Sequence, residues 1–253
     1  MTEYVDIFTK DNHKFQAYLS QPNQKVKGGI VIIQEIFGVN DHIKEVCDLY
    51  SSHGYLTIAP CLFDRENKNI ELDYDQEGIM EGRRLKELLN ELSINEIESS
   101  ISFVESAGKV GVIGYCWGGS LSWKAACKFN NLSSSIIYYG GDVPKLKNLN
   151  PKCPTMCHFG ELDKSIPIDD VNEQYGKAEP VERPKKEEGK EQRKYEELVE
   201  ERIKEVAFKK SMPYQPEVAL FKGGLVKRET IAKIGEKEPE VVTPVKNYAE
   251  SVE

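Results

Sequence analysis

The segment Gly114-Tyr-Cys116-Trp-Gly118 has the residue types and spacing to present a cysteine thiol as a nucleophile. An apolar run precedes it and a helical pattern follows it, which predicts a tight strand-to-helix turn whose glycines avoid collisions between neighbouring turns. A thiol at that turn stands at the carboxyl edge of a sheet. The helix dipole should lower the thiol pKa, and the Trp117 backbone N–H can donate to an oxyanion. A buried structural cysteine is the alternative, which the flanking glycines disfavour.

Two carboxylates are predicted at the same edge of the sheet as Cys116. Glu35 ends a buried apolar run that begins at Gly29, and Asp163 follows another strand pattern in a Gly-x-x-Asp loop. The carboxyl ends of parallel strands share one edge, where catalytic groups collect. A solvated strand-end carboxylate is the alternative for Glu35, and a plain turn residue is the alternative for Asp163.

A catalytic histidine is harder to place. The sequence contains four histidines, all of which precede Asp163: His13, His42, His53 and His158. His13 belongs to a predicted hairpin turn, and His42 and His53 are expected to be solvent-exposed at the two ends of a helix. His158 ends the strand before the acid, and a structural role is favoured there over service as a base. We therefore expect no histidine nitrogen to reach the thiol while facing the acid.

Cysteine spacing supports neither a disulfide framework nor a metal site. The chain has six cysteines, mostly in apolar helix or strand patterns, so reduced thiols are expected. Cys153, Cys157 and His158 superficially suggest metal ligands, but they lie along one predicted strand without an apparent fourth ligand. The sequence therefore predicts neither a metal nor a cofactor.

Composition limits the class of protein. The formal net charge of -8 argues against nucleic acid as the main partner, because phosphate binding needs a surplus of Lys and Arg. Charged residues make up 30% of the chain, and no apolar run approaches the roughly 20 residues of a membrane helix. The first residues lack the basic and apolar regions of a secretory signal. A cytoplasmic protein without a membrane partner is therefore expected.

Strand and helix patterns alternate over most of the chain, which predicts an α/β fold with a mostly parallel sheet and helices on both faces. A hairpin is predicted from residues 4–8 and 15–19. Further strands are predicted over residues 29–34, 55–59, 109–114, 135–139 and 155–160. Asn40 is predicted to cap the first helix, and Ser93-Ile-Asn-Glu96 is predicted to begin a later helix as a capping box.

The alternation stops near Val171, so we assign residues 1–175 to an incomplete α/β domain and residues 176–253 to a separate tail. Residues 176–204 are rich in Lys and Glu, and a solvated helix over about 187–210 and disorder both fit this composition. So abrupt a change suggests a fusion, a frame change or a mis-assembled reading of two genes. A sheet without its last strand should keep an uncovered edge, which would permit self-association.

Four motifs, in order, resemble those of the dienelactone hydrolase family. They are Gln34-Glu-Ile-Phe-Gly-Val-Asn40, Gly54-Tyr55 to Ala59-Pro60, Gly114-Tyr-Cys-Trp-Gly-Gly119 and Phe159-Gly-Glu-Leu-Asp163-Lys-Ser-Ile-Pro167. The resemblance covers about residues 2–175 and implies an α/β-hydrolase-type fold, truncated at its C-terminal end and followed by an irregular or helical charged tail. Residues 219–244 are similar instead to a short segment near the end of phage tail tape-measure proteins, and a small β-hairpin is the alternative.

The resemblance implies a Cys-Asp-His triad that acts on a small-molecule lactone or activated ester. Cys116 would be the nucleophile, Asp163 would orient the histidine, and Glu35 would take the thiol proton when substrate binds. The backbone N–H groups of Ile36 and Trp117 would form the oxyanion hole. Because the family's histidine follows the acid and this chain has none there, impaired activity is expected. A non-catalytic ligand-binding protein and a structural or interaction protein are the alternatives.

Overall fold

The computed structural model describes residues 2–146, 148–175, 179–180 and 240–244. The strands are β1 (Thr2–Phe8), β2 (Lys14–Ser20), β3 (Gly28–Ile33), β4 (Tyr55–Pro60), β5 (Val110–Tyr115), β6 (Leu132–Tyr138), β7 (Thr155–Gly160), β8 (Glu179–Pro180) and β9 (Glu240–Pro244). The α-helices are α1 (Asp41–Ser52), α2 (Gln76–Leu89), α3 (Ser93–Val104), α4 (Trp117–Lys128) and α5 (Ile168–Tyr175). Short 3-10 helices cover Glu105–Ala107 and Val143–Lys145.

The strands form one sheet in the order β1-β2-β4-β3-β5-β6-β7-β9-β8. The five central strands, which are β4, β3, β5, β6 and β7, are parallel to one another. β1 and β2 form an antiparallel hairpin on one side, and β9 pairs antiparallel with β7 on the other. Asn12 closes the hairpin turn with a φ of 63°, a conformation that asparagine tolerates well. The predicted hairpin and mostly parallel sheet are confirmed.

Helices cover both faces of the sheet, as predicted. Consecutive residues of a strand point to opposite faces. In β4, Thr57 Oγ1 donates to the carbonyl of Cys47 in α1 at 2.9 Å. Its neighbour Ile58 packs instead into the main hydrophobic cluster, together with residues of α3 and α4. α1 therefore lies on one face, and α3 and α4 lie on the other.

Of the two helix caps predicted from the sequence, the structure confirms one and contradicts the other. Asn40 caps α1 as predicted, since its side chain accepts from Ile43 N at 3.3 Å. The capping box predicted at Ser93 is wrong, because Ser93 is already helical and its hydroxyl donates to Leu89 O at 2.9 Å. Glu96, the other half of the predicted box, instead accepts from Arg65 Nε at 2.7 Å. A tertiary ion pair and the closeness of α2 to α3 have replaced the local cap.

The far side of the sheet differs from the expectation of an uncovered edge. β9 pairs with β7 from Met156 to Gly160, with Val242 opposite His158. The β-branched run Val241-Val-Thr243 suits a strand, but more than 70 residues separate it from β7, and its pairing partner could not be predicted from local pattern. The expectation of an open edge at β7 is therefore wrong.

The chain divides into two units. The first holds residues up to Glu179 together with Glu240–Glu253, and the second is Pro180–Pro239. Apart from Pro180, the second unit lies outside the described residues. The helix expected over about 187–210 and most of segment 219–244 therefore also lie outside them, and the expected boundary at residue 175 stays a prediction.

The helices of the described chain are short. The longest, α2, has 14 residues, whereas a membrane span needs about 20 apolar residues. Within the described ranges, no helix is both long and apolar enough to cross a membrane.

Candidate active site

Cys116 occupies a sharp turn between β5 and α4. Its backbone has φ 54° and ψ -116°, which a residue with a side chain rarely adopts and which costs about 1–3 kcal/mol. The Cys116 N–H donates to Tyr138 O at 3.0 Å, and the Cys116 carbonyl accepts from Ser120 N at 3.2 Å, so both sides of the turn are fixed. The predicted strand-turn-helix setting is confirmed.

Two glycines permit this turn because neighbouring backbone approaches them closely. A Cβ on Gly114 would lie 2.0 Å from Gly118 O, and a Cβ on Gly118 would lie 2.3 Å from Ile33 O. No side chain can be accommodated at such distances. The turn therefore packs tightly against the end of β3, the strand that leads to Glu35.

The register of the sheet brings Glu35 and Cys116 to one edge. β3 and β5 are parallel neighbours, with Ile33 opposite Gly114. Glu35 and Cys116 each lie two residues beyond that pair. The charge on Glu35 raises the pKa of the Cys116 thiol, so the two groups at this edge interact electrostatically.

The Glu35 carboxyl is buried, with 6% of its surface exposed, and two tyrosines hold it. Tyr74 Oη donates to Glu35 Oε2 at 3.0 Å, and Tyr139 Oη donates to Glu35 Oε1 at 3.1 Å. A solvated strand-end carboxylate, the alternative considered for Glu35, is therefore wrong. Burial raises the Glu35 pKa, and the two tyrosine hydrogen bonds oppose that rise.

The pKa of the Cys116 thiol is raised to about 12, mainly by burial and secondarily by Glu35. The hydrogen bond from the Trp117 backbone N–H lowers it, in the direction expected for a helix start, but is outweighed. The expectation of a lowered thiol pKa is therefore wrong for this arrangement. The thiol is protonated at neutral pH and needs a proton acceptor to react.

The two proposed oxyanion donors also lie at this edge. Ile36 and Trp117 follow Glu35 and Cys116 directly. The Trp117 ring is buried, and its Nε1 donates to Asn90 Oδ1 at 3.0 Å, which anchors the residue. Ile36 is packed against α2 so closely that a Cβ on Gly82 would lie 2.1 Å from Ile36 O. Both backbone segments are thus fixed by neighbouring elements.

Asp163 lies in the turn after β7, and its side chain is engaged locally. Oδ1 accepts from Ser165 N at 2.8 Å, and the Asp163 carbonyl accepts from Ile166 N at 3.3 Å. These are the contacts of an Asp that stabilises its own turn. The described contacts thus support the turn role of Asp163 more directly than a triad role.

His158 makes no side-chain hydrogen bond to Cys116 or Asp163 among the described residues. Its ring is buried and stacks on Tyr138, with centroids 4.5 Å apart. Neither ring nitrogen has a hydrogen-bond partner among the described residues. Burial lowers the His158 pKa to about 4. The expectation that His158 does not bridge the thiol and the acid is confirmed.

His42 differs from its expected exposure. Only 3% of its surface is accessible, because the first turn of α1 packs on the sheet and the His42 ring contacts Tyr115 edge-on at 5.6 Å. Burial lowers the His42 pKa to about 4. A histidine at a helix start was expected in solvent, and packing of α1 on the sheet accounts for the difference.

Sequence reasoning missed four polar residues around the site. Tyr139 follows β6 directly, and its place at the carboxyl edge was a usable signal. Tyr74 lies in the segment between β4 and α2, where no local pattern points to the site. Lys86 and Asp142 form an ion pair of 2.9 Å and act on the Cys116 thiol with opposite charges.

The Lys86–Asp142 pair is linked to the turn that carries Cys116. Asp142 N donates to Ser120 Oγ, one turn along α4 from Cys116, at 3.0 Å. The pair therefore joins α2 and the segment after β6 to the start of α4. In the described part of the chain, no three His, Cys, Asp or Glu side chains are grouped to hold a metal ion.

Comparison with known sequences identifies the family. The dienelactone hydrolase family profile matches residues 15–181. A putative carboxymethylenebutenolidase of Synechocystis sp. is 30% identical over 192 residues, which cover 67% of this chain and 78% of that protein. A carboxymethylenebutenolidase of Pseudomonas putida is 31% identical over 175 residues, covering 66% of this chain and 74% of that protein.

Solved structures agree on the fold. The crystal structure of a putative dienelactone hydrolase from Klebsiella pneumoniae aligns with a TM-score of 0.56 and 24% identity, covering 68% of this chain and 77% of that one. An esterase of Pyrococcus furiosus aligns with a TM-score of 0.52 and 15% identity over 69% of this chain and 77% of that one. With the sharp strand-to-helix turn at Cys116, the mostly parallel sheet and these sequence matches, the chain belongs to the dienelactone hydrolase family of α/β-hydrolase-type hydrolases.

Proposed function

We propose that the chain hydrolyses a small lactone or activated ester through an acyl-enzyme on Cys116. The observation that carries this proposal is the pairing at one sheet edge of a thiol on a strained turn with the buried carboxyl of Glu35. Relatives named carboxymethylenebutenolidase are named for a butenolide, an unsaturated lactone, that bears a carboxymethylene group. A cyclic enol-lactone is accordingly the first substrate class to test.

In the proposed reaction, Glu35 accepts the thiol proton as the Cys116 sulfur attacks the substrate carbonyl. The oxyanion accepts hydrogen bonds from the Ile36 and Trp117 backbone N–H groups. The ring C–O bond then breaks, and the leaving enolate takes the proton from Glu35, which leaves a thioester. Water adds to the thioester and gives its proton to Glu35, and the carboxylic acid is released as Cys116 regains its proton.

We propose further that this reaction is slow in this chain. The thiol pKa of about 12 leaves little thiolate at neutral pH, and the chain has no histidine after Asp163. Loss of one member of a catalytic triad commonly costs several orders of magnitude in rate. Glu35 alone then has to carry the proton transfers.

A non-catalytic ligand-binding protein is the second candidate. It is favoured by the hydrogen bond from Ser165 N to Asp163 Oδ1, because this bond gives the carboxylate a role in its own turn. In that case the sheet edge around Cys116 and Glu35 would bind a small molecule without turnover. The third candidate, an interaction protein centred on residues 219–244, depends mostly on residues outside the described part. A cytoplasmic location, and the division at residue 175, stay proposals as well.

The test is hydrolysis of p-nitrophenyl acetate and of a dienelactone by the full chain. Cys116→Ala should abolish turnover, whereas Cys127→Ala, which removes another partly exposed thiol, should leave it unchanged. Turnover that is equal in wild type and Cys116→Ala would contradict the proposal. Binding of the lactone without turnover in either protein would favour the ligand-binding candidate.

A further inference from the structure

A chain of hydrogen bonds leads from the start of α1 to the Glu35 carboxyl. Asn40 Nδ2 donates to Tyr74 Oη at 3.0 Å, and Tyr74 Oη donates to Glu35 Oε2 at 3.0 Å. Tyr139 Oη donates to the other oxygen of Glu35, Oε1, at 3.1 Å. Both carboxylate oxygens thus accept a hydrogen bond from a tyrosine hydroxyl.

The direction of these bonds follows from the cap of α1. Asn40 Oδ1 accepts from the Ile43 backbone N–H, which can only donate, so the oxygen of the amide must face α1. The amide nitrogen therefore faces Tyr74 and donates to its hydroxyl. A hydroxyl carries one hydrogen, and Tyr74 is left to donate it to Glu35. The cap of α1 thereby fixes the polarity of the bond to the carboxylate.

The second tyrosine is fixed by its backbone. Tyr139 has a φ of 41°, a left-handed conformation that a bulky residue rarely adopts. Its N–H donates to His158 O at 2.7 Å, which ties the segment after β6 to the end of β7. Such strain tends to persist where the surrounding structure requires one side-chain position. Here that position places the phenol on Glu35.

We propose that Tyr74, oriented by Asn40, and Tyr139 form a clamp that keeps Glu35 ionised and directed for accepting the Cys116 proton. Buried carboxyl groups otherwise favour the neutral form, and hydrogen bonds to the carboxylate favour the charged form. Tyr74, Tyr139 and Asn40 are positioning residues in this account, because none of them has to touch the substrate. The inference rests on the proposed function in assigning Glu35 as the proton acceptor.

The charged and titratable groups around the clamp come from four segments. Tyr74 precedes α2, Tyr139 follows β6, and Cys116 lies at the turn into α4. Lys86 of α2 and Asp142 act on the Cys116 thiol and form an ion pair with each other. Removal of a tyrosine hydroxyl leaves all of these charges in place, so a change in Glu35 titration can be assigned to the clamp.

The experiment is a carbon-13 NMR titration of the glutamate carboxyl groups in the full chain, with Glu35→Gln used to assign the Glu35 signal. We expect the Glu35 midpoint to rise by about 1 pH unit in Tyr74→Phe and by a similar amount in Tyr139→Phe. Asn40→Ser, which keeps an oxygen for the cap but lacks the amide donor, should produce a smaller rise. Tyr18→Phe removes a hydroxyl that donates to Asp48 elsewhere, and should leave Glu35 unchanged.

A Glu35 midpoint in Tyr74→Phe and Tyr139→Phe equal to that of the wild type would overturn the proposal. A midpoint that moves equally in Tyr18→Phe would also overturn it, since a general loss of packing would then be the cause. The titration needs no substrate. A chain that shows no hydrolysis but the expected shift would refute the proposed function and support the clamp.

Discussion

Glu35 accepts a hydrogen bond from the Tyr139 hydroxyl, 3.1 Å away, across 104 positions of the chain. Glu35 follows β3 and Tyr139 follows β6, and β5 lies between these strands in the sheet. The bond therefore spans the end of β5, where Cys116 is presented. A buried carboxyl and a strained turn are joined in this way into one site.

Alkylation of Cys116 by iodoacetamide should be slow at neutral pH. Because the thiol pKa is about 12, the rate should rise about tenfold per pH unit between pH 7 and 10. Peptide mass spectrometry with labelled iodoacetamide measures it residue by residue. A rate at pH 7 well above that of an ordinary exposed thiol would show that the site is not impaired in the way proposed.

Glu35→Gln should accelerate that alkylation. Loss of the negative charge beside the thiol lowers the Cys116 pKa, and a rise of about 3- to 10-fold in rate at pH 8 is expected. Cys127, whose pKa is also about 12 but is not influenced by Glu35, provides the internal control in the same digest. An unchanged Cys116 rate would mean that Glu35 does not act on the thiol.

Acidification should destabilise the domain through its two buried histidines. The folded pKa values of His42 and His158 are about 4, below the unfolded value of 6.5. The unfolded chain therefore binds protons first, so stability is full above pH 6.5 and falls as the pH drops toward 4. Each histidine should cost about 2–3 kcal/mol by pH 4.

Urea unfolding of wild type and His158→Phe at pH 7.5 and 4.5 measures this effect. Phenylalanine keeps the stack on Tyr138 without a titrating group. The unfolding free energy should differ less between the two pH values in the variant than in the wild type. The reduction should equal the contribution of His158, about 2–3 kcal/mol. An identical pH dependence in both proteins would refute the assignment.

Gly114→Ala should destabilise the protein by about 3 kcal/mol or more, since its Cβ would lie 2.0 Å from backbone. Gly141→Ala is the matched control, because the nearest atoms to its Cβ are 3.8 Å away. The control should change the unfolding free energy by less than about 1 kcal/mol. Equal effects of the two substitutions on thermal unfolding would argue against the tight turn at Cys116.

The sequence predicted the parts of this molecule that depend on local pattern. The apolar strand that leads to Glu35 and the glycines around Cys116 are local sequence features. Each of them is typical of a single local structure. The contact of Tyr74 with Glu35 depends on how the segment between β4 and α2 folds over the site. The periodicity of the sequence does not predict the path of that segment. The burial of His42 and the loss of the Ser93 cap likewise arise from tertiary packing that overrides a local preference.

The most direct test of the central claim is detection of an acyl group on Cys116. The full chain is mixed with p-nitrophenyl acetate, quenched in acid and digested, and the peptide containing Cys116 is analysed by mass spectrometry. We expect an acetyl thioester on Cys116 that forms at the rate of the first turnover. The same adduct should form in Cys127→Ala and should be absent in Cys116→Ala. Turnover without any adduct on Cys116, or undiminished turnover in Cys116→Ala, would contradict the account.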